Sequence, residues 1–118
     1  MRVLVADDSG VMRKVIVRAL AAVGVEETDE AADGQVAFDR FVSNPYDMVV
    51  TDWNMPEKSG LELVTSLREL GTEIPIIMVT TEGQRGQVVR AIQAGVTDYL
   101  VKPFENDQLV AKLEKYVN

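Results

Sequence analysis

The chain has 118 residues, with 12 Lys and Arg against 19 Asp and Glu, a formal net charge of −7, and neither cysteine nor histidine. This length fits one domain of ordinary size; the composition excludes a disulfide framework, a thiol nucleophile, a thiolate zinc site and an imidazole base or phosphate carrier, and the negative charge argues against direct binding to nucleic acid. No stretch approaches the about 20 apolar residues of a membrane span, and acids at positions 7 and 8 do not fit a signal peptide, so we expect a cytoplasmic protein without membrane contact.

The first half of the chain alternates short apolar runs with stretches of helical period. Residues 2–6 predict a strand, and its apolar run 3–6 does not alternate with polar residues, which indicates burial on both faces. A helix follows, with Ser9 as its N-cap and Gly24 as its stop signal. Residues 26–31 are charged and predict a weak edge strand, where acids discourage pairing with another chain. A second helix and an apolar third strand, residues 47–52, come next.

The second half of the chain repeats this alternation. A loop leads to Gly60, where a third helix begins, and the apolar run 76–80 predicts a fourth strand. A fourth helix is predicted over residues 84–94 and a fifth strand over residues 97–101. The apolar positions of the last helix extend to Val117.

Strands that alternate with helices predict an α/β fold, with a parallel sheet covered by helices on both faces. Right-handed crossovers and a charged second strand at the edge favour the strand order 2-1-3-4-5. This order places a topological switch between strands 1 and 3, and ligands of such sheets bind beside the switch at the carboxyl ends of the strands. We expect one doubly wound domain over residues 1–118, without a linker or repeat.

Charged side chains follow three of the predicted buried strands directly. Asp7 and Asp8 follow the first strand, Asp52 ends the third, and Lys102 follows the fifth. Each alone is more often a helix cap, a turn residue or a solvated surface charge. Together they are different, because like charges about 4 Å apart repel by roughly 4 kcal/mol at an effective dielectric near 20. The cluster of acids therefore predicts a site whose repulsion a bound cation or the Lys102 ammonium must relieve.

An all-oxygen ligand set favours Mg²⁺, or Mn²⁺ in its place, over zinc or copper. Such an ion would use one or two carboxylates, which leaves another free to attack phosphorus and form an acyl phosphate. Thr80, at the end of strand 4, could hold a phosphoryl oxygen or simply finish a strand, and Glu82 would stand at the rim. Tyr99 could pack half-buried or turn outward, and the residues alone do not decide whether the bond from Lys102 to Pro103 is cis.

Four segments then resemble one known family, the receiver domain of response regulators: Val-Leu-Val-Ala-Asp-Asp-Ser (3–9), Val-Val-Thr-Asp-Trp-Asn-Met-Pro (49–56), Ile-Met-Val-Thr-Thr-Glu (77–82) and Asp-Tyr-Leu-Val-Lys-Pro-Phe (98–104). The resemblance covers essentially the whole chain, and within the family it is nearest to stand-alone chemotaxis regulators. It implies a flavodoxin-like fold and a role in a two-component phosphorelay.

The resemblance also implies roles for the acids. Asp52 would be the phosphoryl acceptor. Asp8 and Asp52 would bind Mg²⁺ together with the backbone carbonyl of Asn54, while Asp7 would act mainly through water. The phosphoryl donor would be a phosphohistidine on a sensor histidine kinase or a phosphotransfer protein.

Further roles follow from the same resemblance. Lys102 would pair with the phosphoryl oxygens, and its bond to the following proline would be cis. Thr80 would move toward the phosphoryl group while Tyr99 turns inward behind it. Asn54 and Glu82 would flank the path of water and set how fast the acyl phosphate hydrolyses.

Some features depart from the family pattern or leave the output open. Thr81 stands where a smaller residue is commoner, and Gly83 and Gly86 loosen the start of the fourth helix. The output residues on helix 4, strand 5 and helix 5 match only loosely, so a flagellar-motor target is less secure than the phosphorylation. They are Arg85, Val88, Tyr99 and Lys112.

Several alternatives stay open at this point. The chain could be a single-domain relay, a receiver from a transcriptional regulator, an interaction module that is never phosphorylated, or a phosphohydrolase acting on external esters. We expect a monomer that is not an enzyme beyond its own phosphorylation and dephosphorylation. The chain begins at Met1 and has no linker after the last helix, which favours a free-standing protein.

Overall fold

The computed structural model describes residues 1–117, and within them five strands alternate with five helices. Their bounds in chain order are β1 (Arg2–Ala6), α1 (Gly10–Ala22), β2 (Glu27–Ala31), α2 (Gly34–Ser43), β3 (Met48–Thr51), α3 (Gly60–Glu69), β4 (Ile76–Thr80), α4 (Arg85–Ala94), β5 (Asp98–Val101) and α5 (Asn106–Glu114). The predicted alternation is confirmed. Among the helices of this described part of the chain, none is long and apolar enough to cross a membrane.

The strands form a single parallel sheet in the order β2-β1-β3-β4-β5, as the sequence predicts. The charged strand β2 lies at one edge and β5 at the other. In the register of the two central strands, Ala6 pairs with Thr51. The residues that follow these two positions therefore leave the sheet side by side at its carboxyl edge.

Two apolar layers hold the helices against the sheet. Alternate residues of the buried strands point to opposite faces, because the side-chain period of a strand is two. One face packs on α1 and α5, and its central side chains are Val3, Val5, Ile16, Leu20, Val50, Ile77, Leu109 and Leu113. The other packs on α2, α3 and α4, through Leu4, Ala37, Val49, Leu63, Leu67, Ile76, Met78 and Ala91. The sheet is thus buried on both sides except near its edges.

The element ends differ from the sequence prediction by one to three residues. Strand β3 ends at Thr51, one residue before Asp52, although the Asp52 N–H still donates to Ala6 O at 2.9 Å. Helix α5 ends at Glu114 and does not include Val117. The Val117 N–H donates to the carbonyl three residues back, at 3.4 Å, which is the tighter spacing of a fraying helix end. Val117 nevertheless packs against the core, which explains its apolar character.

Helix α4 is held unequally at its two ends. At its C-terminus Gly95 takes φ 114°, and the Arg68 guanidinium of α3 donates to Gly95 O from Nε at 3.0 Å and from Nη2 at 2.8 Å. Arg68 also donates to Thr72 O at 3.1 Å, so one side chain joins α3 to the loops before β4 and β5. At the N-terminus, within the described residues, Gln84 makes no side-chain capping bond.

Asp98, the first residue of β5, anchors α5 to the sheet edge. Its Oδ1 accepts hydrogen bonds from the Tyr99 N–H at 2.8 Å and from Lys112 Nζ at 3.1 Å. Its Oδ2 accepts from the Tyr116 hydroxyl at 2.7 Å. Burial acts to raise the pKa of the Asp98 carboxyl, but the Tyr116, Tyr99 and Lys112 bonds lower that pKa below its ordinary 3.8.

A carboxyl whose pKa is lower in the folded state stabilises the fold when it is ionised. We therefore expect Asp98→Asn to reduce the free energy of unfolding by roughly 1.5–3 kcal/mol at pH 7, the usual worth of a hydrogen bond to a charged group. The wild-type advantage is fully present above pH 3.8, the ordinary pKa, and disappears as the pH falls through the lower folded-state pKa. Urea unfolding of both proteins between pH 7 and pH 2.5 measures this. A difference that does not change with pH would contradict the assignment.

Candidate functional site

The acids predicted to converge do so at the carboxyl edge of the sheet. Asp7 and Asp8 follow β1, and Asp52 follows β3, its neighbour in the sheet. One carboxylate oxygen from each of the three lies within 4.8 Å of the others. This convergence results from the register, since parallel strands paired Ala6 to Thr51 deliver the following residues to the same place.

Lys102 enters the same cluster from the end of β5. Its Nζ lies 3.0 Å from Asp7 Oδ2 and 3.3 Å from Asp52 Oδ2. The backbone N–H of Lys102 donates to Thr80 O at 2.8 Å, and this hydrogen bond fixes the backbone where β4 and β5 end. The bond from Lys102 to Pro103 is cis, as the resemblance implies.

The negative charge of the cluster exceeds what this ammonium can balance. Asp7 is 1% exposed and Asp52 7%, whereas Asp8 faces solvent. Burial raises the pKa of Asp7 above its ordinary value; hydrogen bonds from the Ser9 N–H and from Lys102 lower it in part, and the Asp52 charge raises it again. The ionised form of Asp7 is therefore disfavoured by burial, and a further cation beside its carboxylate would stabilise that form.

The donor set fits a hard divalent cation. Carboxylate oxygens are the ligands that Mg²⁺ and Mn²⁺ take in proteins, with water filling the remaining positions. Asp8 is exposed and within reach of Asp52, so these two carboxylates could bind an ion while Asp7 stays beside Lys102. The backbone carbonyl of Asn54 as a further ligand stays a prediction.

The backbone at Asp52 is fixed by close contacts. The Trp53 N–H donates to Asp52 Oδ1 at 2.6 Å, and the Thr51 hydroxyl donates to Asp52 O at 2.9 Å. Gly60, the first residue of α3, lies so near that a Cβ there would stand 1.8 Å from Asp52 O. The Gly60 N–H also donates to Trp53 O at 2.7 Å. Only glycine allows this approach, which sets the direction in which the Asp52 side chain leaves β3.

Thr80 and Tyr99 lie behind the acids along β4 and β5. Thr80 is fully buried, and its hydroxyl oxygen accepts a hydrogen bond from the Glu82 N–H at 3.3 Å. Tyr99 is half-buried against the α2–α3–α4 core, and its hydroxyl donates to the Glu82 carbonyl oxygen. Burial, followed by the charges of Glu82 and Asp52, raises the pKa of Tyr99 and keeps the hydroxyl a donor. Of the two orientations that the sequence left open, the structure shows the packed one.

The rim of the site joins the loops after β3 and β4. Asn54 Nδ2 donates to Glu82 Oε1 at 3.0 Å, so the two residues predicted to flank the path of water are in contact. On the same side, the Arg90 guanidinium of α4 lies 5.6 Å from the centre of the Trp53 ring. The residue next to Asp52 thus touches the helix that carries the predicted output surface.

The sequence analysis missed two residues beside the acids. Arg13, in the first turns of α1, donates from Nη1 to the Asp7 carbonyl oxygen at 2.7 Å and from Nε to Glu30 Oε1 at 2.9 Å. Glu30 lies on β2, whose acids the sequence predicts only to discourage pairing at an edge strand. The available signal was a basic residue one turn after Asp8–Ser9, but Glu30 is 17 positions away and only the sheet brings it near.

Comparisons with known proteins find similar sequences over nearly the whole chain. The family profile described as "Response regulator receiver domain" matches residues 3–114. Chemotaxis protein CheY1 of Helicobacter pylori is 46% identical over 97% of this chain and 94% of that protein. Chemotaxis protein CheY of Pseudomonas aeruginosa is 42% identical over 98% and 94%.

Solved structures of the same kind superpose closely. Chemotaxis protein CheY4 of Vibrio cholerae matches with a TM-score of 0.88 and 32% identity, over 98% of both chains. The receiver domain of the Francisella response regulator 1452 matches with a TM-score of 0.89 and 31% identity, over 98% of this chain and 94% of that one.

Proposed function

The chain belongs to the response regulator receiver domain family, close to the CheY chemotaxis regulators, and from this premise we propose that it is a phosphoacceptor switch of a chemotaxis phosphorelay in the cytoplasm. Membership of this family implies two-component signalling. The finer proposal is that Asp52 accepts the phosphoryl group and that Mg²⁺, held by Asp8, Asp52 and the Asn54 carbonyl, is required.

The observation that carries the proposal is the placement of Asp52. Its carboxylate lies 3.3 Å from the Lys102 ammonium, with two more acids close enough to share a cation. In the proposed step an Asp52 oxygen attacks the phosphorus of a phosphohistidine, the bond from phosphorus to the imidazole nitrogen breaks, and an acyl phosphate remains on Asp52. The bound Mg²⁺ would supply positive charge against the phosphoryl oxygens. Loss of labelling by acetyl phosphate in Asp52→Asn tests this role.

Lys102 would hold the new charge in place. Its ammonium already lies between Asp7 and Asp52, so a phosphoryl group on Asp52 would gain a charged hydrogen bond without moving the chain of β5. No external substrate is turned over in this scheme, and the protein is therefore proposed not to be an enzyme beyond its own phosphorylation and dephosphorylation.

Thr80 and Tyr99 would transmit the change. The Thr80 hydroxyl is held by the Glu82 N–H, and the Tyr99 hydroxyl by the Glu82 carbonyl, so both contact the same residue of the β4–α4 loop. Movement of Thr80 toward the phosphoryl group would release the first contact and shift the population of loop and α4 conformations. The contact of Asn54 with Glu82 would regulate the approach of water to the acyl phosphate.

The proposed partners follow from the family and from the surface. A sensor histidine kinase or phosphotransfer protein would supply the phosphoryl group. The output surface would be the face of α4, β5 and α5. Of its predicted residues, Arg85 is exposed, Val88 and Tyr99 are half-buried, and Lys112 Nζ lies 3.1 Å from Asp98 Oδ1. The relatives are chemotaxis proteins, and this supports the flagellar motor switch as the target that this face would bind.

Addition of Mg²⁺ is expected to change the fluorescence of Trp53. The Trp53 N–H donates to Asp52 Oδ1, so a cation on that carboxylate alters the environment of the ring. The chain has one Trp, and the signal is therefore unambiguous. A titration from micromolar to millimolar Mg²⁺ should saturate, and Asp8→Asn should weaken the apparent affinity. Emission that stays flat at millimolar Mg²⁺ would count against the site.

A further inference from the structure

We propose that Arg13 is a positioning residue for the divalent cation site: it holds the peptide between Asp7 and Asp8, and so fixes the direction in which the Asp8 carboxylate enters the cluster. This rests on the proposed function, because it concerns the cation that the acids would bind. It adds a residue outside the acid, threonine and lysine set.

The Arg13 guanidinium is anchored on two sides. From α1 it donates to the Asp7 carbonyl oxygen at 2.7 Å and to Glu30 Oε1, on β2, at 2.9 Å. Its side chain is 20% exposed, so most of it is enclosed between α1 and the sheet edge. A guanidinium can donate in two directions at a fixed angle, and one side chain thereby connects β2 to the turn after β1.

Glu30 is held in turn by Lys14. Lys14 Nζ lies 2.6 Å from Glu30 Oε2, the oxygen that Arg13 does not use. Lys14 is 62% exposed, whereas Glu30 is 27% exposed. Arg13, at 20% exposed, is the more enclosed of the two partners of Glu30, and only Arg13 also contacts the Asp7 carbonyl oxygen.

Among residues 1–117, the peptide between Asp7 and Asp8 has one hydrogen bond, the one that Arg13 donates to the Asp7 carbonyl oxygen. The Asp7 carboxylate is fixed by the Ser9 N–H at 2.9 Å and by Lys102 at 3.0 Å. Asp8 is exposed, and its orientation depends on the peptide plane from which it starts. Mg²⁺ requires near-ideal octahedral geometry, so freedom in this plane costs affinity.

Position and charge predict opposite effects, which makes the inference testable. Arg13 is a cation close to a cation site, and if only its charge mattered, its removal would strengthen Mg²⁺ binding. If Arg13 acts by fixing the Asp7–Asp8 peptide, its removal weakens Mg²⁺ binding. Residues that orient the ligands of a metal typically cost 10–100-fold in affinity when replaced.

The matched pair of variants is Arg13→Met and Lys14→Met, each of which removes one positive charge from neighbouring positions of α1. Titration calorimetry with Mg²⁺ alone measures the Kd of each protein. We expect Arg13→Met to weaken binding about tenfold, and Lys14→Met to leave it unchanged or slightly tighter. Arg13→Lys, which keeps the charge but cannot donate in both directions, should fall between wild type and Arg13→Met.

A double-mutant cycle with Glu30→Gln separates positioning from general stability. If Glu30 acts through Arg13, its replacement weakens Mg²⁺ binding in the wild-type background and has little further effect in Arg13→Met. A purely structural role would lower the urea midpoint without moving the Kd of the folded protein. If Arg13→Met fails to fold, Arg13→Lys against Lys14→Met decides the question.

Two negative results have different meanings. Wild-type protein that binds no Mg²⁺ would overturn the proposed function, and this inference with it. Wild-type protein that binds Mg²⁺, with Arg13→Met and Arg13→Lys binding it equally or more tightly, would overturn the role of Arg13 alone.

Discussion

Asp52→Asn is expected to abolish phosphorylation by acetyl phosphate in the presence of Mg²⁺. The amide keeps the shape of the side chain but is not a nucleophile toward phosphorus, so no acyl phosphate can form. The variant should remain folded, because it removes one of three acids that lie within 4.8 Å of one another. Mass spectrometry of the intact protein after exposure to acetyl phosphate measures the result.

The control is Asp47→Asn, which changes an acid that accepts the Arg2 N–H at 2.8 Å at the opposite end of the sheet. It should be labelled like the wild type. The bound phosphoryl group of the wild type should be released by hydroxylamine, as expected of an acyl phosphate. Equal labelling of Asp52→Asn that resists hydroxylamine would refute the assignment of Asp52.

Gly60→Ala is expected to destabilise the fold by about 3 kcal/mol, the upper end of the usual cost of overpacking. The added Cβ would lie 1.8 Å from Asp52 O and 2.8 Å from Trp53 Cα, so backbone rather than a flexible side chain must move. The displaced backbone belongs to the proposed phosphoacceptor, and Mg²⁺ affinity should therefore fall together with stability. Urea unfolding and the Trp53 titration measure the two effects.

Gly86→Ala is the matched control for this prediction. Gly86 lies in α4, and a Cβ there meets nothing within 4 Å. The same substitution should stabilise the protein by about 0.5–1 kcal/mol, since alanine restricts the unfolded chain and favours the helix. If Gly60→Ala and Gly86→Ala have the same sign and size, the close approach at Asp52 does not constrain the fold.

Periodicity predicted the sheet and the meeting of the acids well, for a definite physical reason. Strands β1, β3 and β4 are buried on both faces and are therefore apolar without alternation. Because β1 and β3 are neighbours and parallel, Asp7 and Asp52, which follow them, converge. Lys102 follows the half-buried edge strand β5, and its long side chain reaches both carboxylates across the end of β4. The residue at which a strand or helix ends depends on less regular local contacts than its interior does. Strand β3 and helix α5 therefore end earlier than the sequence predicts.

The supporting contacts were beyond sequence reasoning because they join distant segments. The pairing of Arg13 with Glu30 depends on the register of β1 and β2, which places Val5 opposite Glu30. The orientation of Tyr99 depends on a carbonyl in another loop. Neither contact joins residues at a fixed short spacing in the sequence. The sequence of a strongly charged strand such as β2 therefore does not indicate which of its acids forms an ion pair.

The unequal attachment of α4 has a consequence for where the backbone can open. Arg68 ties the C-terminal end of α4 to α3 through Gly95 O, whereas the first turn contains Gly86 and, within residues 1–117, has no side-chain cap at Gln84. Regions with few anchoring contacts unfold locally at the lowest free energy, so amide protons should exchange fastest in the first turn of α4. The turn nearest the β4–α4 loop is therefore the part of this helix whose backbone can change conformation at the lowest free-energy cost.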